Sequence, residues 1–237
     1  MFAKSFLDAF YQQNQNLISV SAEQASAFAK DIANDFNPIH NPDNKRFCVP
    51  GDLLFSLILG KYGLHQKMAF SFEGMVGKDV QLCFPEAIDS HFELVGDNEK
   101  HYLNVDVQGQ INTDEEKIEA FIRSYVAFSG LNFMQVLVPL MSEHQVMINT
   151  ARPLVIYESM SFELDSFDLT EPELFLAKSE LEISGKRGDV KLHFDILCKG
   201  KKVGTGFKTL ILSGLRPMDQ EKMDILIAQY EAVKGKS

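Results

Sequence analysis

The sequence predicts an α+β fold built from two similar units, each an apolar helix followed by an antiparallel meander. Three observations carry that reading. An apolar segment opens at Pro50-Gly51 and closes at Gly63. Strand-like runs separated by Gly-, Pro- and Asn/Asp-containing turns follow it. The same order of helix and runs recurs after Gly130, with little residue identity between the copies.

Taken in order, Phe2 to Gln13 predicts a helix, with Phe2, Phe6, Ala9 and Phe10 on related faces. Leu17 to Val20 alternates as a short strand. Ser21 starts the next helix, with Gln24 placed three residues on for a capping box. Ala22, Ala25, Phe28, Ala29 and Ile32 continue it toward Asn34. Pro50 and Gly51 open the central helix, whose Leu53, Leu54, Leu57, Ile58, Leu59 and Tyr62 imply burial on nearly every side. Strands are expected at Met68–Met75, Val80–Phe84, Ile88–Val95, Tyr102–Gln108 and Lys117–Phe128. A second apolar helix is expected from Asn132 to about His144, with Pro139 kinking it or ending it early. Strands at Val155–Leu164, Leu174–Ile183, Val190–Cys198 and Lys202–Leu212 follow, then a closing helix from Asp219 to Val233. The boundary falls near Gly130, giving units 1–130 and 131–237.

Between the first two helices lies Asp35-Phe36-Asn37-Pro38-Ile39-His40. Pro38 fixes its own φ and keeps Asn37 out of helical geometry, so the chain turns there. Such a turn can aim a carboxylate and an imidazole at one water, which makes a general acid/base pair. The plain alternative is a capped turn, with Asp35 bonded to backbone N–H groups and His40 on the surface. The Asp-x-Asn-Pro-x-His pattern resembles the motif of the MaoC-like, (R)-specific enoyl-CoA hydratases of the hotdog fold. The resemblance covers about the first 130 residues. It implies a double hotdog with one continuous pseudo-dimeric sheet. It also implies that Asp35 and His40 activate the water added across a 2-enoyl thioester, with Asn37 holding the turn. Gly51 matches the glycine whose N–H polarises the thioester carbonyl, and Ser56 falls where several relatives have a pocket serine; the plain alternative for Ser56 is a helix serine bonded to its own backbone. Pro50-Gly51 stands where the family has His-Gly. The second half has no copy of the motif; His144 and His193 stand alone.

The resemblance therefore implies a hydratase or dehydratase acting on an acyl-CoA or acyl carrier protein thioester, with no other cofactor and no metal. The alternative is a non-catalytic hotdog module that binds an acyl thioester or serves assembly. A thioesterase is a further alternative, with Asp52 as its candidate acid at the helix start. An Asp in a first helical turn is also simply compatible with the helix dipole.

Composition narrows the partners. The chain has 237 residues and a formal charge of −10, which disfavours nucleic acid. Lys45, Arg46, Lys61, Lys67 and Lys78 flank the motif in sequence and are candidates for a basic rim around a CoA phosphate. Cys48, Cys83 and Cys198 form no metal spacing and fit reduced thiols in a cytoplasmic protein. The N-terminus lacks a secretory pattern. The longest apolar runs, Leu53–Leu59 and Phe133–Met141, are too short for a membrane span. A monomeric pseudo-dimer or a homodimer is expected.

Overall fold

A computed structural model describes residues 5–150 and 154–234. After one 3₁₀ turn at Phe6–Ala9, strands β1 (Gln12–Asn14) and β2 (Leu17–Ser19) form a hairpin. The helix expected over this stretch is thus a single turn, and Gln12 and Gln13 are ladder residues; Phe2 lies outside the described residues. Helix α1 (Ala22–Ala27) begins at Ser21, whose side chain exchanges both bonds of a capping box with Gln24. It runs into a π-helical turn, Phe28–Ile32, and stops.

Helix α2 (Gly51–Tyr62) is buried from Asp52 through Leu59 and ends at Gly63, whose φ of 83° lies in the left-handed region. Four strands wrap it: β3 (Leu64–Phe72), β4 (Leu82–Cys83), β5 (His91–Gly96) and β6 (His101–Asn112).

The next segment corrects the sequence reading. Lys117–Phe128 is no strand but part of α3 (Glu115–Asn132). Asp114 caps it by accepting N–H bonds from Glu116 and Lys117. Its buried residues Ile118, Phe121, Ile122, Tyr125, Val126 and Ser129 recur at helical spacing. Beyond α3 come a π turn, Phe133–Leu137, and α4 (Val138–Glu143), with Pro139 directly after that turn in the continuing helix. The whole run Glu115–Glu143 is 29 residues, long and apolar enough by length and composition to cross a membrane, yet half of its most apolar window is buried inside the protein. The expectation that no segment reaches that length does not hold, because Lys117–Phe128 and Phe133–Met141 belong to one helical run. The boundary placed near Gly130 likewise falls inside α3; the first meander ends at Asn112 and the second helix begins at Glu115.

The second meander is β8 (Val155–Leu164), β9 (Pro172–Ser184), β10 (Arg187–Cys198) and β11 (Lys201–Ser213), numbered after a short β7 (Val146–Met147). β7 pairs with β12 (Arg216–Pro217), and α5 (Gln220–Lys234) closes the described chain. All strand pairs are antiparallel, and ten strands form one sheet in the order β1-β2-β4-β5-β6-β3-β8-β11-β10-β9. The seam is β3 against β8, from Lys67↔Glu163 to Ser71↔Ser159. This is a double hotdog: two helix-and-meander units whose sheets are continuous.

Packing ties the units together. The Phe55 ring of α2 lies 4.5 Å from that of Tyr125 in α3, tilted to it, and 5.3 Å from that of Phe70 in β3, edge to face, measured between ring centroids. Phe121 and Phe162 complete that aromatic cluster. A second cluster gathers Leu137, Leu140 and Met141 against Val190, Leu192, Leu210 and Leu212. α3 thus starts in a core shared with α2, and its continuation ends in a core of the second unit.

Candidate active site

The turn after α1 is built by its own polar groups. Asp35 N–H donates to Ala29 O (2.7 Å), and Asn34 adopts a φ of 54°. Asp35 Oδ1 accepts the Asn37 N–H (2.9 Å), and Asn37 Oδ1 accepts the Ile39 N–H (3.2 Å). Pro38 opens a single 3₁₀ turn, Pro38–His40. His40 Nδ1 lies 2.7 Å from the Cys48 carbonyl, which makes Nδ1 the donor and turns Nε2 toward Asp35. Asp35 Oδ2 and His40 Nε2 are 3.5 Å apart, an ion-pair distance longer than an ordinary hydrogen bond.

The two groups hold each other charged. Burial works against the imidazolium, but the Asp35 carboxylate and the Cys48 carbonyl outweigh it and raise the His40 pKa. Burial also opposes ionisation of Asp35; His40, the Asn37 N–H and Lys208 outweigh it and hold the carboxyl below its ordinary value.

Both side chains open on a cavity of about 360 Å³. Gly51 lines it at the start of α2, where first-turn N–H groups have no partner within the helix. A Cβ at Gly51 would stand 3.1 Å from the Phe72 ring and 3.6 Å from Tyr157, so glycine lets the helix start close against both. Asn37 lines the cavity too, with its side-chain oxygen committed to the turn. Ser56 does not belong to the site: it is wholly buried, lies off the cavity, and donates to the Asp52 carbonyl (2.6 Å). One helical turn separates it from Asp52, so its hydroxyl reaches its own backbone first. Cys48 lines the cavity, but burial pushes its thiol up to about 11. None of the five basic residues expected as a rim lines it; Lys67 pairs with Glu163 across the seam (3.3 Å) and Lys61 lies over Tyr62.

The opposite wall comes from the second unit. Lys208 of β11 is 2% exposed, and its Nζ donates to Ser129 Oγ of α3 (2.5 Å) and sits 3.9 Å from the centre of the Tyr157 ring. The Tyr157 and Tyr125 hydroxyls hydrogen-bond to each other. Burial lowers the Lys208 pKa from 10.5 to about 8, against the pull of Asp52 and Asp35. Burial raises that of Asp52, against Lys208 and the Ser129 hydroxyl. Among the described residues, Asp52 Oδ1 and Asn132 Nδ2 are buried with no hydrogen-bond partner, and both residues line the cavity. Leu226 and Tyr230 of α5 close another side, with Tyr230 edge-on to Phe36.

A family model matches residues 5–221, nearly the whole chain. The chain belongs to the DUF3581 family, described as protein of unknown function. No curated protein matches it. Among solved structures, this DUF3581 chain is similar to an acyl-CoA thioesterase II, TesB2, from Mycobacterium marinum, at 10% identity over 90% of this chain and 97% of that one, with a TM-score of 0.43. It is similar to a conserved protein of unknown function with a hot dog fold from Alicyclobacillus acidocaldarius, at 8% identity over 91% and 100% of the two chains, TM-score 0.45. A MaoC-like dehydratase is similar at 9% identity over 86% and 98%, TM-score 0.40. No residue role passes to the DUF3581 chain from likenesses at this level.

Sequence reasoning missed Lys208, Ser129, Asn132 and Tyr157 in this DUF3581 member. For Lys208 a signal existed. On β11 it shares a face with Leu210 and Leu212, both buried, so a period of two sets a lysine on the core side of the strand. Asp52 was legible only as a dipole-compatible residue, because nothing local announces the cation that approaches it from the other unit.

Proposed function

We propose that this protein adds water to, or removes it from, an acyl thioester carried on coenzyme A or an acyl carrier protein. The observation that carries the reading is the pairing of Asp35 and His40, 3.5 Å apart, on the wall of an otherwise largely apolar cavity that also contains the Gly51 end of α2. The resemblance of the turn to the MaoC-like motif supports it. A water between the two groups would give its proton to the Asp35 carboxylate as its oxygen bonds C3 of a 2-enoyl thioester, while the charged His40 keeps the proton it can deliver. C2 would then take a proton from the same pair, and no other cofactor is required. The Gly51 N–H at the helix start suits the thioester oxygen as negative charge develops there. Buried Asp52 at the same helix start supports a second reading, thioester hydrolysis.

Crotonyl-CoA and longer enoyl-CoAs test this through loss of enoyl absorbance. Turnover is expected, with Asp35→Asn and His40→Ala each slower by about 10²–10⁴-fold. Release of free thiol would replace hydration by hydrolysis. Tight binding with no turnover would leave a non-catalytic module.

A further inference from the structure

The motif occupies one wall of the cavity and leaves the other without a task. Lys208 has three N–H donors, and among the described residues Ser129 Oγ is its one hydrogen-bond acceptor. No carboxylate among those residues comes within 4.0 Å of it. Charged groups still face it: Asp52 from α2 and Asp35 from the turn, with the Tyr157 ring from β8 beneath. An ammonium held out of water with no carboxylate in contact is costly to bury. One helical turn beyond Ser129, Asn132 is 4% exposed and its Nδ2 has no partner among the described residues. Two residues with donors to spare, one of them charged, therefore line the same cavity as the acid/base pair.

We infer that Lys208 and Asn132, both supplied by the second unit, bind the thioester carbonyl oxygen and take up the charge that forms there. The inference rests on the acyl-thioester reading. As water bonds C3, the C2=C3 electron pair moves toward C1 and leaves an enolate oxygen. When C2 takes its proton that pair returns, and nothing is oxidised or reduced. A charged donor in a water-poor site favours that oxygen more than the neutral Gly51 N–H does alone. Lys208 and Asp35 both line the cavity, and the inference sets the C3–C2–C1–O unit between them. The second unit, which lacks the motif, then completes the site.

The test uses the full chain and hexanoyl-CoA carrying ¹³C at the thioester carbonyl, a saturated probe that cannot take up water. Difference infrared spectra should show the bound carbonyl moved to lower wavenumber. Lys208→Met should abolish most of that shift, and Lys208→Gln and Asn132→Ala should keep part of it; circular dichroism verifies that each variant is folded. With an enoyl-CoA, Lys208→Met should lower kcat about 10²–10³-fold at little change in KM. An unshifted carbonyl in the wild type, or a full shift in folded Lys208→Met, overturns the inference. A shifted carbonyl without enoyl turnover defeats hydration and leaves the role of Lys208 standing.

Discussion

Gly130→Ala should dislocate the acid/base turn from a position in the other unit. A Cβ at Gly130 would stand 1.7 Å from the backbone oxygen of Ala33 and 3.1 Å from the carbonyl carbon of Asn34, where ordinary contact begins at 3.4 Å. The obstacle is backbone, so no rotamer change relieves it, and the segment before Asp35 must retreat by more than an ångström. Two effects compete. Alanine favours a helix interior by about 1 kcal/mol over glycine. Overpacking typically costs about 1–3 kcal/mol, and a backbone collision lies at the upper end. The clash should win, with a net loss of about 2 kcal/mol in chemical denaturation. Gly60→Ala is the control: its Cβ would meet only the tip of the Leu7 side chain, at 3.1 Å, and should be near neutral. Displacement has a second readout. His40 is held charged by Asp35 against its own burial, so its pKa should fall as Asp35 withdraws, which an NMR titration of the imidazole detects. A Gly130→Ala protein as stable as the wild type, with His40 titrating unchanged, would refute the reasoning.

Three further outcomes are expected. Lys208 loses its proton near 8 in the folded protein and near 10.5 when unfolded, so the unfolded chain binds more protons across that window and stability rises with pH there. Denaturation at pH 7 and at pH 10 should show the wild type gaining about 2–3 kcal/mol relative to Lys208→Met; a pH-independent difference would contradict it. The raised His40 pKa adds stability that is complete below about 6.5 and lost as pH rises through the folded value. Asp35→Asn should remove that slope, as urea midpoints between pH 5 and pH 9 would record. Ser56→Ala should leave cavity ligand binding unchanged and cost about 1 kcal/mol or less, because that hydroxyl serves only its own helix.

Much of the architecture is legible wherever one local device decides the outcome. Pro50, Gly51 and Gly63 bracket α2, Ser21 with Gln24 starts α1, and the four long strands of the second meander fall close to their alternating runs. Lys117–Phe128 misled because its Ile, Phe, Tyr and Val composition suits a strand, while its spacing and the Asp114 cap require a helix. Gly130 has the composition of a linker but is glycine because another backbone crosses it. The polar turn around Asp35 can be read from its own residues. Its opposite wall cannot, since Ser129, Tyr157 and Lys208 meet Asp52 only after the two sheets join at β3 and β8.

That joining leaves the first unit without a private interior, since its core runs on into Phe121, Tyr125, Phe162 and Phe194 of the second. One continuous helical run enters the protein beside Phe55 and leaves it beside Leu212. Calorimetry should therefore record a single heat-absorption peak. A gene cut between codons 112 and 115 would yield two fragments, each missing a wall, soluble only when made together.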